Sequence, residues 1–235
     1  MEPSAAGVVA ALRAAASDVE LAKVRKRLSP AEPAVGVRMG TLFDIAKQAS
    51  AMPMSEVEAL MAEPEYEPRL AAFCVLDFQA RRRLGDAALF DCYLRHHDRI
   101  TSWDMVDRAA PRVVGAHVAG TDLEALHRLA SSPGPLRRRT AMTAPLWFVR
   151  KGSDADLAGG FALASALHAD PDPLVTNAVG IFLAHAGTRD PDALIAVLEA
   201  HAGTMPRPAV RLAIRKLGPE RSRFLGRGST PAAGG

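Results

Sequence analysis

Residues 101–111 read Thr-Ser-Trp-Asp-Met-Val-Asp-Arg-Ala-Ala-Pro, a stretch that begins and ends like a helix. Thr101 and Asp104 have the spacing of a capping box, in which a hydroxyl and a carboxylate satisfy free N–H groups of the first turn. The acid also lies where the helix dipole favours negative charge. Pro111 has no N–H for the carbonyl of Asp107, so we expect the helix to bend there.

Trp103 and Asp107 stand four residues apart in this helix, and therefore on one face. Tryptophan is scarce, because the chain has two among 235 residues. A flat ring beside a carboxylate suits a planar, cationic ligand. A lone tryptophan is more often a core residue, and a lone aspartate more often pairs with a neighbour such as Arg108, so both interpretations stay open.

The same helix belongs to an internal repeat. Five triplets carry alanine in third place, and these alanines recur at intervals of 38, 32, 37 and 35 residues. Each interval has room for two helices and two turns, the unit of an α-solenoid; chance recurrence of alanine-rich helices is the alternative. We expect the first residues of the triplets to form a polar row on one side, with Asp107 among arginines. The triplets are Arg69-Leu70-Ala71, Asp107-Arg108-Ala109, Arg139-Thr140-Ala141, Thr176-Asn177-Ala178 and Arg211-Leu212-Ala213.

Helical periodicity continues through almost the whole chain, and no strand-like alternation persists, so an all-α fold is predicted. Ser55 with Glu58 and Thr121 with Glu124 predict two further capping boxes. Residues 218–235, which end in Gly, Ser, Pro and Ala, predict a disordered tail. The predicted helices span 4–17, 18–28, 37–50, 55–63, 66–83, 86–98, 102–118, 121–131, 135–150, 154–168, 173–186, 191–202 and 206–217.

Charge and cysteine content bound the class of protein. The formal net charge of +3 divides into −2 over residues 1–130 and +5 over 131–235, which permits a polyanion partner but also fits a solvated surface. Cys74 and Cys92 form no CxxC pair and lie in apolar helical patterns, so we expect buried free thiols in a reducing cytoplasm. No apolar run approaches the ~20 residues of a membrane span. The adjacent pair His96-His97 lacks the spacing of a metal-binding helix, so neither a metal nor another cofactor is expected.

Ser102-Trp103-Asp104-Met105-Val106-Asp107, followed by Pro111, resembles the central motif of the AlkD-like DNA alkylation repair proteins. Val35–Arg38, Leu136–Ala141 and Pro206–Leu217 are similar to other segments of that family, so the resemblance covers roughly residues 20–217. It implies a right-handed α-solenoid of HEAT-like repeats, here one domain over residues 1–217.

By position, the resemblance makes Asp107 the catalytic acid, Trp103 the ring against the damaged nucleotide, and Arg139 the arginine beside them. It implies a metal-independent, monofunctional DNA glycosylase that hydrolyses the N-glycosidic bond of cationic alkylpurines of the 3-methyladenine or 7-methylguanine type in duplex DNA. The expected setting is a monomer in the cytoplasm, on nucleoid DNA. Candidates for contact with the DNA backbone are Arg38, Arg69, Arg137, Arg138, Arg150, Lys151, Arg211 and Arg215, with Lys216 beside them.

Asn177–His185 departs from the family pattern, because Ile181 stands where a second tryptophan is common. Phe182 is a ring one position later, but one residue turns a helix by ~100°. A relative that binds DNA without excising bases is therefore one alternative. A helical-repeat scaffold for a protein or peptide is another, and it predicts no salt-sensitive affinity for DNA.

Overall fold

The computed structural model describes residues 3–226, and over these it is all-helical, without a strand, as predicted. Every predicted segment contains a helix, and the segment predicted over 135–150 divides into two. Fourteen α-helices of six residues or more occur within residues 3–226. They are α1 Ala5–Ala14, α2 Asp18–Arg25, α3 Met39–Gln48, α4 Met54–Met61, α5 Tyr66–Ala80, α6 Ala87–Arg95, α7 Trp103–Ala110, α8 Glu124–Ala130, α9 Pro135–Thr143, α10 Leu146–Lys151, α11 Asp154–Leu167, α12 Pro173–Ala186, α13 Pro191–His201 and α14 Arg207–Ala213.

Shorter helical pieces complete the described chain. A π-helical turn, Pro111–Gly115, follows α7 directly, so the regular helix does stop where the proline withholds its N–H. The remaining pieces are a helical turn over Ala116–Val118 and 3₁₀ helices over His97–Arg99, Ile214–Lys216 and Pro219–Phe224.

The chain divides into two compact units, Met1–His117 and Val118–Gly235. In the first unit α5 is the central helix: it is buried along nearly its whole length and packs against α3, α4 and α7. In the second unit α12 is central and packs against α9, α11 and α14. Each unit therefore wraps its neighbours around one long apolar helix.

The triplet helices pack on one another within each unit. In the first unit α5 contacts α7, and in the second α9 contacts α12, which contacts α14. The third-place alanines are all buried, at most 3% exposed, so a small side chain at this register lets neighbouring helices approach. The repeat register read from the sequence thus corresponds to a real packing surface inside each unit.

A buried carboxylate shapes the turn before α3. Glu67 of α5 is 1% exposed and accepts hydrogen bonds from the N–H groups of Val35, Gly36 and Val37 at 2.7, 2.8 and 3.3 Å. Gly36 has φ +89°, and a Cβ there would lie 2.6 Å from Cβ of Leu21 in α2. Only glycine fits this turn without strain.

The predicted capping boxes are wrong. Ser102, not Thr101, is the N-cap of α7, and the Thr101 hydroxyl donates to the Glu32 carboxylate instead. α4 begins one residue before Ser55, and α8 is preceded by a left-handed residue, Leu123, with φ 59°. At α7, Thr101 binds Glu32 instead of the helix, and at α4 and α8 the predicted capping residue is not the N-cap.

A capping box does occur at the start of α11. The Ser153 hydroxyl accepts from the N–H of Asp156, and the Asp156 carboxylate accepts from the N–H of Ser153. Asp156 also accepts from the N–H of Gly120 at 2.8 Å. These hydrogen bonds lower the pKa of Asp156 against the opposing effect of burial.

The end of the chain is partly described. Within the segment predicted as a tail, Pro219–Phe224 forms a 3₁₀ helix with Phe224 1% exposed, which the sequence analysis did not predict. The rest of that prediction, residues 227–235, lies outside the described residues.

Cys74 and Cys92 are buried free thiols, as predicted. No helix within residues 3–226 combines the length and the apolar character that crossing a membrane requires.

Candidate functional site

The indole of Trp103 is displayed at the start of α7. Trp103 is 45% exposed, and all other aromatic residues within the described range are buried or half-buried. The other tryptophan, Trp147, is half-buried. An apolar ring of this size gains most by burial, so a tryptophan that is 45% exposed is a candidate for contact with a ligand.

Asp104 fixes the first turn of α7. One of its carboxylate oxygens accepts from the buried Tyr66 hydroxyl and from Arg27 Nη1, the latter at 2.8 Å, while Ser102 donates to the other oxygen. Burial, and then the Asp104 charge, raise the pKa of Tyr66 above its usual value, so the phenol remains a donor. Asp104 thereby anchors the helix that carries Trp103 to α5.

Arg108 fixes the middle of the same helix from another direction. Its guanidinium lies 3.1 Å from Asp77 of α5 and stacks on the rings of Phe43 and Phe78, at 4.7 and 4.9 Å from their centroids. Asp77 is fully buried and also binds Arg81 and Arg112. Contacts to a buried carboxylate are strong because water does not compete for it.

Asp107 is half-buried on this doubly anchored helix, one turn after Trp103. Arg108, one of the neighbours with which Asp107 was expected to pair, binds Asp77. Trp103 and Asp107 therefore share a face of a helix whose position is fixed by two sets of charged contacts.

Arg69, the first residue of its triplet, does not lie open on a groove. It is 7% exposed, and its guanidinium donates to the Glu32 carboxylate, to Thr101 and to the carbonyl of Pro64. Its remaining N–H, at Nε, is buried without a partner. Within the first unit, Arg69 therefore ties the loop before α7 to α5; its contact with DNA stays a prediction.

Arg138 is similarly engaged, in the second unit. It forms a two-point ion pair with Asp170, at 2.6 and 3.0 Å, and donates to the carbonyls of Ser132 and Pro133. The hydrogen bonds to Asp170 raise the pKa of Arg138. Arg138 thus serves the packing of the second unit rather than an external anion.

Arg139 is 4% exposed and donates to the carbonyl of Leu174 at 2.5 Å. This bond joins α9 to the first turn of α12. The next row member, Thr176, is also buried, whereas Arg211 is exposed. Arg69, Arg139 and Thr176 are thus buried, Asp107 is half-buried and Arg211 is exposed. The arrangement of these residues as one polar row, and the position of Arg139 beside Trp103 and Asp107, stay predictions.

Four basic side chains meet near the end of α12, and we call them the basic cluster. They are His185 and the three cations Arg150, Arg215 and Lys216. Arg215 Nη2 lies 3.2 Å from His185 Nε2, and Lys216 Nζ lies 3.0 Å from His185 Nδ1. Burial, then the charges of Lys216, Arg215 and Arg150, lower the pKa of His185. Mutual repulsion of this kind marks a place where a bound anion is favourable.

The other basic candidates lie at the surface or partly exposed. Arg38 precedes α3, Arg137 lies in α9, Lys151 ends α10 and Arg211 lies in α14. Within residues 3–226, no acidic side chain pairs with these four, nor with Arg150, Arg215 or Lys216. These cations are available to an external polyanion.

The departure at Ile181 is visible in the packing of α12. Phe182 is fully buried and meets the ring of Phe161 edge to face at 5.7 Å, so it does not present a second ring to a ligand. Ile181 is half-buried.

Over residues 3–226 the chain is all-helical, the first unit presents Trp103 and Asp107 on one helix, and the second unit carries the basic cluster. The sequence profile of the family described as DNA alkylation repair enzyme matches residues 8–217, and the chain belongs to this family. No curated protein matches the chain. The family places the protein in DNA alkylation repair, with DNA as its substrate.

Proposed function

We propose that the protein is a DNA glycosylase that removes cationic alkylpurines, of the 3-methyladenine or 7-methylguanine type, from duplex DNA. The observation that carries the proposal is the exposed Trp103 one turn from Asp107 on the anchored helix α7. The family membership supplies the reaction class, alkylation repair, and the side chains supply a chemistry for it.

The leaving base needs no protonation by the enzyme. A purine alkylated at a ring nitrogen carries positive charge and leaves as a neutral molecule when the bond to the deoxyribose C1′ breaks. The sugar then becomes cationic, water adds to C1′, and the water proton is released. We assign Asp107 to the stabilisation of the sugar cation and to the acceptance of that proton, a monofunctional and metal-independent mechanism.

Trp103 offers its ring face to the cationic base or sugar, an interaction of about 0.5–2 kcal/mol. A fixed carboxylate near the developing charge contributes about 3–4 kcal/mol, or roughly 10²–10³ in rate. The anchoring contacts of Asp104 and Arg108 matter because a displaced carboxylate loses this effect.

Excision of 7-methylguanine from a duplex, under single-turnover conditions, tests the proposal. Asp107→Asn is expected to lower the rate by roughly 10²–10³ while the DNA affinity is kept. Asp44→Asn, at an exposed acid of α3, removes the same charge elsewhere and should leave the rate unchanged. Equal product from wild type and Asp107→Asn would end the assigned role of Asp107.

We further propose that the basic cluster holds a DNA backbone phosphate. The support is local: three exposed cations surround His185, and none pairs with an acid within the described residues. Arg215→Ala should weaken DNA binding, and the slope of log affinity against log salt concentration should fall by about one, the equivalent of one phosphate contact. Arg128→Ala removes an exposed arginine that already pairs with Glu124, and it is the matched control.

The architecture that we propose is a right-handed α-solenoid of HEAT-like repeats, supported by the packing of the triplet helices within each unit. In it, Arg139 has a positioning role, because its bond to Leu174 connects successive triplet helices. Substitution of Arg139 should therefore lower stability as well as activity.

A second candidate, DNA binding without excision, is favoured by one observation: Ile181 and the buried Phe182 leave α12 without an exposed ring. It predicts salt-sensitive binding of duplex DNA by the wild type together with no released base. Binding and excision measured on one duplex distinguish the two functions.

A further inference from the structure

Three side chains with metal-binding atoms converge in the first unit, apart from the residues assigned above. Glu58 of α4, Cys92 of α6 and His96 at the end of α6 each bring one ligand atom within 4.8 Å of the other two. Cys92 is fully buried, and Glu58 and His96 are half-buried. The cluster is thus closed on its protein side and reachable from solvent on the other.

Local sequence explains part of this arrangement. Cys92 and His96 are four residues apart, so the turn of α6 places both on one face. Glu58 approaches from α4, where it lies 3.6 Å from His96 Nε2 and 2.7 Å from Arg95. Arg95 is largely exposed and pairs with the same carboxylate oxygen as His96, and the Cys92 thiol lies within hydrogen-bond reach of this carboxylate.

We propose that Glu58, Cys92 and His96 form a zinc site, with water as the fourth ligand. A thiolate, an imidazole and a carboxylate are the donor types that Zn²⁺ binds in proteins. Ligand bonds of about 2.0–2.3 Å at tetrahedral angles separate ligand atoms by about 3.3–3.8 Å. The 3.6 Å between His96 Nε2 and Glu58 Oε1 matches that separation, and all three ligand atoms lie within 4.8 Å of one another. Arg95 pairs with the same oxygen and is largely exposed, so its side chain would move into solvent as the ion binds.

The protons balance without another reactant. The Cys92 thiol releases its proton to water as the zinc–sulfur bond forms, His96 binds in its neutral form, and Glu58 binds as a carboxylate. Burial, and then the nearby Glu58 charge, raise the pKa of Cys92 to about 11. A dication between these groups removes the repulsion between thiolate and carboxylate.

Cys74, the other cysteine, provides the contrast. It is fully buried and lies near Arg108, a cation, which does not favour a metal ion. Within residues 3–226, Cys74 is not part of any group of three candidate ligands. A probe of metal–thiolate bonding therefore has an internal control in the same unit.

The test is titration of the full chain, freed of metal by a chelator, with Co²⁺ and then Zn²⁺. Co²⁺ should give sulfur-to-metal charge-transfer absorption, which Zn²⁺ abolishes at about one ion per chain. Zinc at about 100 times its Kd should raise Tm by roughly 5–10 °C. Cys92→Ser should remove the absorption band, and His96→Gln should weaken zinc binding about 100-fold or more.

Cys74→Ser and His127→Gln are the controls, and their charge-transfer band and zinc affinity should equal those of the wild type. Far-UV circular dichroism verifies that each variant is folded. His96→Gln alters a half-buried side chain, so it keeps the test meaningful if Cys92→Ser does not fold. Absence of the band from the wild type, or a band that survives in folded Cys92→Ser, overturns the proposal. These readouts are independent of excision.

Discussion

Replacement of Gly180 by alanine should destabilise the protein, although helix propensity predicts the opposite. Gly180 lies inside α12, where an alanine ordinarily adds up to about 1 kcal/mol to the free energy of unfolding. In the structure, however, a Cβ on Gly180 would lie 2.6 Å from the carbonyl oxygen of Ala209 and 2.8 Å from Cβ of Leu212. Both atoms belong to α14: one is a backbone carbonyl oxygen and the other is a Cβ, and a change of rotamer moves neither.

The magnitude follows from the contact between α12 and α14. Insertion of a methyl group into a packed interface costs about 1–3 kcal/mol, from which the helix-propensity gain is subtracted. Because neither of the obstructing atoms can move by a rotamer change, the upper part of that range, about 2–3 kcal/mol, applies. After the propensity gain of about 1 kcal/mol is subtracted, the net expectation is a loss of about 1–2 kcal/mol, equivalent to a fall in Tm of roughly 2–8 °C for a chain of this size.

Gly40→Ala is the matched control. Gly40 also lies in a helix, α3, but a Cβ there meets nothing within 4 Å. It should therefore raise the free energy of unfolding by about 0.5–1 kcal/mol. Urea denaturation of both variants, followed by circular dichroism, measures the two signs; a Gly180→Ala protein as stable as the wild type would refute the close packing of α14 on α12.

Three further outcomes are expected. Gly36→Ala should lower the free energy of unfolding by about 2–4 kcal/mol, because it combines a left-handed φ with a close approach to α2, and urea denaturation measures the loss. Tyr66→Phe should cost about 1–3 kcal/mol, since the Asp104 carboxylate loses a buried donor, while an unchanged midpoint would contradict that hydrogen bond. Burial, and then the charge of His168, lower the pKa of His201, so the folded state binds fewer protons at this residue than the unfolded chain does. The stability contributed by neutral His201 is therefore complete above about pH 6.5 and declines as the pH falls toward the lower pKa of the folded state. His201→Gln should flatten this decline, and thermal melts at several pH values measure it.

The helices and their register were predictable because they depend on local spacing. Apolar periodicity placed every segment, and the recurring alanines, such as Ala109 and Ala178, identified the surfaces on which helices pack. Pro111 ended α7 for a reason contained in its own ring. Each of these features is decided within a few residues of the chain.

The polar contacts were not predictable, because their partners lie far away in sequence. Thr101 and Arg69 both bind Glu32, and Asp104 binds Tyr66 and Arg27, so the predicted cap did not form and Arg69 has partners that local spacing did not indicate. Carboxylates and guanidinium groups can form strong bonds with many partners, and only the fold selects among them.

The candidate sites show the same division. Spacing sufficed to put Trp103 and Asp107 on one helix face. It did not suffice to find the group around Cys92, because Glu58 reaches this cluster from another helix. A cysteine and a histidine at i and i+4 were the available signal.

The exposed indole also makes the protein its own optical reporter. Trp147 is the only other tryptophan in the chain, and Trp147→Phe would leave a single emitter at the start of α7. Collisional quenching by acrylamide should then be strong in the free protein and suppressed by any molecule that covers the ring. Occupancy at Trp103 thus becomes measurable in solution without attaching a dye to either partner.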